Sequence, residues 1–207
     1  MLGLSVPQVR EIARDFWRAH RGLDVRSVNG VANAVWRAAT SHEERAAAVE
    51  VLMRYRRILD DSTWSVLDRW ADDAVGWGIC DAVGMGPVAA IVHGNSARWR
   101  RLLGWTRSSN PWRRRIAVYG LRDYIRAGEL DRPLELLGRV IGDAEFWVQR
   151  AVGTGLRECW KKDERRVSAF LREHVRDLSP IVITVATERA PRSFREELRS
   201  RSGVRKS

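Results

Sequence analysis

The chain has 207 residues, of which 44% are hydrophobic and 30% are charged. This is the profile of a globular protein with a sizeable core, and it excludes a mainly disordered chain. The 37 Lys and Arg residues exceed the 26 Asp and Glu residues, so the formal net charge is +11. Such an excess favours a polyanionic partner, with nucleic acid ahead of an acidic membrane or protein. An alternative is a coding effect, because nearly all the basic residues are Arg.

Several function classes find no support in the sequence. No apolar run approaches the length of a membrane span, and nothing resembles a secretory signal. Cys80 and Cys159 lie far apart and form no disulfide framework, and the four His residues are scattered. We therefore expect no metal and no cofactor. The expected location is the cytoplasm, with nucleoid association when the protein is bound to DNA.

Apolar residues recur at three- and four-residue intervals along the chain, which predicts one helix after another. The first helix should open at Ser5-Val6-Pro7 and run to about Ala19, with Pro in its first turn. Further helices are predicted over 27–39, 42–58, 62–74, 77–92, 96–108, 111–127, 131–141, 144–161, 163–175 and 179–190. No segment shows the alternation of a strand. The predicted fold class is all-α, with a single domain over residues 1–198 and a basic tail over 199–207.

The segments 115–123 and 150–158 align with each other without a gap, at an offset of 35 residues. Similarity at this period indicates stacked helical hairpins, in which each repeat buries its apolar face against its neighbours. Corresponding positions of successive hairpins would then line one continuous concave face.

Two basic stripes at helical spacing would lie on that face. The first comprises Arg115, Tyr119, Arg122 and Arg126, and the second comprises Arg150, Thr154, Arg157 and Lys161. A single stripe is usually a solvated helix face, whereas two in equivalent positions form a groove that can follow a phosphate backbone. The groove predicts contact with duplex DNA and says nothing about base sequence.

Asn110-Pro111-Trp112 has the composition of a helix start, whose free backbone N–H groups attract anions. Arg113 and Arg114 follow immediately, which adds both to the predicted DNA-binding residues together with Trp112. Among the ten Trp residues, core positions are predicted for Trp17, Trp36 and Trp64. Ligand contact is predicted for Trp77, Trp112 and Trp147, which stand at helix starts beside charged residues.

Trp77 and Asp81 are four residues apart and would share one face of a helix. Asp81 could be a solvated acid beside a core tryptophan. On an Arg-rich face, however, a carboxylate repels phosphate, so its presence there suggests a further purpose. Phosphodiester hydrolysis would need metal-binding acid clusters, which the sequence lacks. Cleaving the N-glycosidic bond of a cationic alkylated purine needs neither a metal nor a general acid, because the base leaves as a neutral molecule. One fixed anion can stabilise the oxocarbenium ion that forms on the sugar.

These residues resemble the AlkD family of DNA alkylation-repair glycosylases, which are HEAT-like helical-repeat proteins. The resemblance covers nearly the whole chain, and its most specific segments are Trp77-x-x-x-Asp81, Asn110-x-Trp112-x-x-Arg115 and 149–158. It implies a HEAT-like solenoid with a basic concave groove, acting as a monomer on duplex DNA that contains 3-alkyladenine or 7-alkylguanine. It implies excision without base flipping, with Asp81, Trp77 and Arg115 as the catalytic residues.

The chain departs from the family at two places. Relatives carry a second active-site Trp where this chain has Thr154, and they carry a helix ahead of the segment that begins at Leu2. The first departure removes an aromatic contact to the lesion. The second would either weaken the grip on DNA or reflect a misplaced start codon. Two alternatives therefore stay open: a non-catalytic protein that binds distorted or branched DNA, and a scaffold whose basic face binds an acidic protein.

Overall fold

The structure is a computed structural model that describes residues 3–203, and in this range it contains helices and turns but no strand. The α-helices in chain order are α1 (Val6–Ala19), α2 (Val25–Ala38), α3 (His42–Arg54), α4 (Asp61–Asp73), α5 (Trp77–Val83), α6 (Ala89–Val92), α7 (Ser96–Trp105), α8 (Pro111–Tyr119), α9 (Arg122–Ala127), α10 (Asp131–Arg139), α11 (Phe146–Trp160), α12 (Glu164–Glu173), α13 (Pro180–Ala186) and α14 (Arg192–Arg201). The predicted all-α fold class is confirmed.

The helices form a series of hairpins with a constant period. One layer contains α1, α3, α5, α8, α11 and α13, which begin at residues 6, 42, 77, 111, 146 and 180, so successive starts are about 35 residues apart. Neighbours in this layer pack against each other along the series. The second layer contains α2, α4, α7, α10, α12 and α14. The predicted helical repeat is confirmed, and it extends well beyond the two segments whose sequences resemble each other.

Short polar side chains start many of these helices. The carboxylate of Asp24 accepts a hydrogen bond from the N–H of Ser27 at 2.8 Å, and Ser41 forms a reciprocal capping box with Glu44. Asn110 caps α8 as predicted, with its side-chain oxygen 2.9 Å from the N–H of Trp112. Such caps satisfy N–H groups that have no partner inside the helix.

Side-chain hydrogen bonds in the second layer join residues about one repeat apart. The indole N–H of Trp70 donates to Asn33 at 3.2 Å, and that of Trp105 donates to Asp68 at 2.9 Å. In the core, the ring of Trp36 on α2 stacks on that of Trp70 on α4 at a centroid distance of 4.2 Å. Of the tryptophans predicted to be core residues, Trp36 and Trp64 are buried, while Trp17 is half-buried.

The predicted helix over 77–92 is interrupted in the structure. Between α5 and α6 the chain forms a π-helical stretch, Gly84–Val88, in which Gly86 leaves the helical conformation with φ −95° and ψ −108°. Pro87 explains the interruption, because it lacks an N–H and its ring clashes with the carbonyl of the preceding turn. The predicted helix over 111–127 is likewise divided, into α8 and α9.

The C-terminal region differs from the prediction in its helix content. Helix α14 was not predicted, and it includes the first residues of the segment assigned to a basic tail, Arg199–Arg201. An ion pair between Arg201 and Glu197 one turn earlier stabilises its end. Residues 204–207 of that tail, and Leu2 at the other end, lie outside the described residues. No helix within residues 3–203 is both long and apolar enough to cross a membrane.

Candidate functional site

The first layer of helices brings together residues from three successive repeats. Trp77 and Asp81 lie one turn apart on α5, Arg115 lies on α8, and Trp147 lies in the first turn of α11. Gly76 precedes α5 with φ +91°, a conformation that favours glycine and that turns the chain into this helix. The three repeats thus place the predicted catalytic residues within one region.

Asp81 and Arg115 form a two-pronged ion pair. Nε of Arg115 donates to Oδ1 of Asp81 at 2.7 Å, and Nη2 donates to Oδ2 at 2.9 Å. The side chains are 15% and 4% exposed, respectively. Burial raises the pKa of Asp81 above its usual value, while the hydrogen bonds and charge of Arg115 oppose that rise. The site therefore holds a carboxylate of fixed orientation in a poorly solvated setting.

Arg115 is also bound to the groups around it. Its Nη1 donates to the backbone carbonyl of Trp147 at 2.5 Å, and its Nη2 donates to the hydroxyl of Tyr119 at 3.2 Å. The guanidinium carbon lies 5.0 Å from the ring centroid of Tyr119 and 5.6 Å from that of Trp147. Because protein groups occupy most of its N–H donors, Arg115 acts as a link between α5, α8 and α11.

Exposed aromatic side chains surround this ion pair. Trp77 is 58% exposed, Phe146 is 50% exposed and Trp147 is 38% exposed. Trp147 stacks on the half-buried Trp112 at a centroid distance of 6.4 Å and meets Phe146 edge-on at 5.1 Å. The three tryptophans predicted to contact a ligand are therefore accessible, at least in part. Phe146 was not predicted as a site residue from the sequence, although its place at the start of α11, beside Trp147, is a signal for such a role.

The cations of the predicted DNA-binding surface differ in their partners. Arg113 forms ion pairs with Asp68 and Asp72, and Arg114 forms a two-pronged pair with Asp143 at 2.6 and 2.9 Å. Within the described residues, Arg150 is exposed and has no carboxylate within ion-pair distance. Aspartates thus neutralise much of the first cluster, whereas the charge of Arg150 faces solvent.

The second stripe carries its own acidic residues. Arg157 pairs with Glu188 at 2.5 Å and with Glu158 at 3.3 Å, and the amine of Lys161 also contacts Glu158, at 2.5 Å. On the first stripe, Arg122 donates to the backbone carbonyl of Met85 at 2.6 Å. The sequence spacing identified these cations but not the glutamates that bind them.

A cavity of about 520 Å³ lies beside the ion pair, between α8, α9 and α11. Its wall includes Tyr119 and Thr154 together with apolar groups of Val118 and Ile125. The hydroxyl of Thr154 donates to the carbonyl of Arg150 at 3.0 Å. Thr154 thus borders open space next to the candidate site.

Tyr119 was predicted from its helical spacing as a member of the first stripe, without a role of its own. Its pKa is raised by burial and by the neighbouring charge of Asp81, so the phenol keeps its proton at neutral pH. The sequence signal for a contact between Tyr119 and Arg115 was their spacing of four residues, which places both side chains on one face of α8.

Other groups that could carry chemistry are inert or absent within residues 3–203. Cys80 and Cys159 are buried, and burial raises the pKa of each thiol to about 12, so neither is a thiolate nucleophile at neutral pH. No cluster of three or more His, Cys, Asp or Glu side chains in this range is arranged to hold a metal ion.

Three solved structures with similar folds come from two bacteria. One is described as a predicted DNA alkylation repair enzyme from Enterococcus faecalis, with a TM-score of 0.78 and 16% identity over 92% of this chain and 88% of that chain. AlkD2 from Streptococcus mutans has a TM-score of 0.72 and 16% identity, covering 91% of each chain. The protein smu.31 from Streptococcus mutans has a TM-score of 0.67 and 17% identity, over 87% of this chain and 96% of that chain.

At these identities the likeness establishes a shared helical-repeat fold. No curated protein matches the sequence. The family model described as DNA alkylation repair enzyme matches residues 1–190, which is most of the chain. The chain therefore belongs to the family of DNA alkylation repair enzymes.

Proposed function

We propose that this protein is a DNA glycosylase that hydrolyses the N-glycosidic bond of cationic 3-alkyladenine and 7-alkylguanine in duplex DNA. The observation that carries the proposal is the carboxylate of Asp81, which is oriented by Arg115 beside exposed tryptophans on a protein of net charge +11. A fixed anion in poorly solvated surroundings stabilises developing positive charge better than one in water.

The reaction proceeds by departure of the base. The C1′–N bond breaks, its electron pair goes to the positively charged purine, and the purine leaves as a neutral base. Positive charge then develops on the deoxyribose, where Asp81 stabilises it. Water adds to C1′ and releases a proton to Asp81 or to solvent. Trp77 lies one turn from Asp81, and its electron-rich face packs on the cationic nucleotide.

Arg115 serves this reaction by anchoring Asp81. Its Nε and Nη2 bind the carboxylate and its Nη1 binds the carbonyl of Trp147, which leaves little capacity for a phosphate. DNA contact is better assigned to groups that reach the surface, with the exposed Arg150 first and with Trp147 and the half-buried Trp112 at the edge of the site. We propose that one protein molecule binds one duplex without flipping the lesion into a pocket.

The direct test is release of 7-methylguanine from a methylated duplex, measured by chromatography of the free base in single-turnover reactions. The glycosylase proposal requires release well above the spontaneous rate, with an abasic site left in the DNA. Spontaneous release in buffer and release with an equal concentration of a basic, non-enzymatic protein provide the controls. Base release no faster than in these controls would contradict the proposal.

A non-catalytic role in binding distorted or branched DNA is the second candidate. Two observations favour it: Arg115 engages both carboxylate oxygens of Asp81, and Thr154 offers no aromatic face. This alternative predicts tighter binding to branched junctions than to linear duplex, together with the absence of base release. The same single-turnover assay and a binding titration with both DNAs separate the two candidates.

Replacing Arg150 with Ala should weaken duplex binding to a similar extent for all DNA sequences. Its charge is exposed and carries no carboxylate partner among the described residues. Losing one phosphate contact should reduce the slope of log affinity against log salt by about one. Anisotropy titrations at several salt concentrations measure both quantities.

Arg139→Ala is the matched control for that variant, because Arg139 lies on α10 in the other layer of helices and pairs with Glu135. It removes the same charge from the protein as a whole. If both variants lower affinity equally, the effect of Arg150 is one of net charge, and Arg150 does not contact the DNA.

Restoring an indole with Thr154→Trp should raise the rate of 7-methylguanine excision. The cavity beside Thr154 offers space for the ring, and an aromatic face next to a partly desolvated cation is worth a few-fold to roughly 30-fold in rate. If the side chain overpacks α8 instead, the variant should lose about 1 to 3 kcal/mol of unfolding free energy. Excision rate and melting temperature are measured on the same preparation. A stable variant with no gain in rate would favour the non-catalytic candidate.

A further inference from the structure

Tyr119 occupies a tightly defined place between the ion pair and the cavity. It lies one turn after Arg115 on α8, and its side chain is half-buried. The π-helical stretch approaches this position closely: a Cβ atom on Gly84 would lie 2.6 Å from the Cβ of Tyr119. Any residue larger than glycine would push α8 away. The contact therefore fixes where the Tyr119 side chain leaves the helix.

The hydroxyl of Tyr119 shares its guanidinium partner with Asp81. Nη2 of Arg115 donates to the hydroxyl oxygen at 3.2 Å and to Oδ2 of Asp81 at 2.9 Å. Since the oxygen accepts this hydrogen bond, the phenolic proton is free to point away from the guanidinium. The nearby hydroxyl of Tyr119 also lowers the pKa of Asp81, against the larger upward effect of burial.

We propose that Tyr119 is a positioning residue of the site, whose hydroxyl accepts a hydrogen bond from the Arg115 guanidinium, donates one to the Asp81 carboxylate and so holds the two groups in a fixed arrangement. The catalytic part of this inference rests on the proposed glycosylase function. A hydrogen bond to an ionised acceptor stabilises the charged form. Tyr119 therefore helps to keep Asp81 ionised where burial favours the neutral acid.

Apart from Arg115, the other titratable groups near Asp81 do not stabilise its ionised form as Tyr119 does. From α8, only Arg115 and Tyr119 affect the pKa of Asp81 among the described residues. Cys80, the neighbour on α5, remains a neutral thiol, because burial raises its pKa to about 12. From α3, His42 packs against Gly78, with its ring 3.0 Å from where a Cβ of that glycine would stand.

Tyr119→Phe tests the inference, since it keeps the ring and its packing and removes only the hydroxyl. The first measurement is a carbon-13 NMR titration of the Asp81 carboxyl group in DNA-free protein, with the signal assigned by its loss in Asp81→Asn. We expect the midpoint to lie at higher pH in the Phe variant. If the midpoints coincide, the inference is overturned, whether or not the protein releases bases.

The second measurement is the pH dependence of base release. At a pH below the Asp81 midpoints of both proteins, the Phe variant should release 7-methylguanine about threefold to tenfold more slowly than the wild type, because less Asp81 is ionised. At a pH well above both midpoints the two rates should converge, since Asp81 is then ionised in both proteins. A uniform loss of rate at all pH values would assign Tyr119 a merely structural role and contradict the inference.

Tyr55→Phe is the matched control, because it also removes a partly buried hydroxyl, one that donates to the carbonyl of His20 at 2.7 Å far from Asp81 along the chain. This variant should leave both the Asp81 titration and the pH profile of base release unchanged. If it shifts either one as Tyr119→Phe does, the effect follows from general loosening of the fold, and the inference fails.

Discussion

Asp81→Asn should lower the rate of 7-methylguanine release by at least about 100-fold, the usual loss for one preorganised electrostatic group. The substitution keeps the shape of the side chain and one oxygen for Arg115, but it removes the negative charge that faces the developing oxocarbenium ion. DNA affinity should hold or rise, because an anion leaves a surface that binds phosphates. Single-turnover rates and anisotropy titrations provide the two readouts.

The chain offers a close control for this variant. Asp143 also accepts two hydrogen bonds from an arginine, Arg114, and its side chain is only 7% exposed. Asp143→Asn therefore weakens a comparable ion pair without touching the proposed catalytic anion, so base release should persist. Equal base release by Asp81→Asn and the wild type would remove Asp81 from the mechanism. An equal loss in both Asn variants would show that stability, and not the charge of Asp81, limits the rate.

Arg115→Met should destabilise the fold by about 3 to 5 kcal/mol, the usual cost of removing one partner of a buried ion pair. Met fills much of the space of the arginine stem, but it leaves Asp81 without a counter-charge where its side chain is only 15% exposed. Adding Asp81→Asn to Arg115→Met should recover part of the loss, because no charge is then stranded. Urea unfolding of both single variants and the double variant measures this coupling.

The pH dependence of that loss has a defined sign. Burial raises the pKa of Asp81, and removing Arg115 takes away the main opposing influence. The folded Arg115→Met protein should then bind a proton more readily than the unfolded chain, so its stability deficit should shrink as the pH falls through the pKa of the folded state. A deficit that is independent of pH, or an absence of coupling with Asp81→Asn, would mean that lost packing and not a stranded charge is responsible.

Local sequence patterns were sufficient for the helices but not for all their ends. The three- and four-residue spacing of apolar side chains identified most of the helices, and Asn110 marked the start of α8. The interruption after α5 comes from Pro87, which breaks the helical hydrogen bonding, and from the close approach of Gly84 to α8, and apolar periodicity reports neither. Helix α14 escaped prediction because its sequence is strongly polar, and its apolar contacts are limited to residues such as Phe194 and Leu198.

The sequence by itself determined the all-α class, the repeat of about 35 residues and the proximity of Trp77 to Asp81, because each of these depends on spacing within one helix or on a period along the chain. Only the tertiary structure decided that Arg115 binds Asp81, that Arg114 binds Asp143 and that Arg150, among residues 3–203, is exposed without a carboxylate partner. The physical reason is that each ion pair joins residues about 30 positions apart, and any of several carboxylates could have paired with each arginine. Packing of one hairpin on the next makes that choice, and with it separates the arginines that pair with buried carboxylates from those whose charge faces solvent.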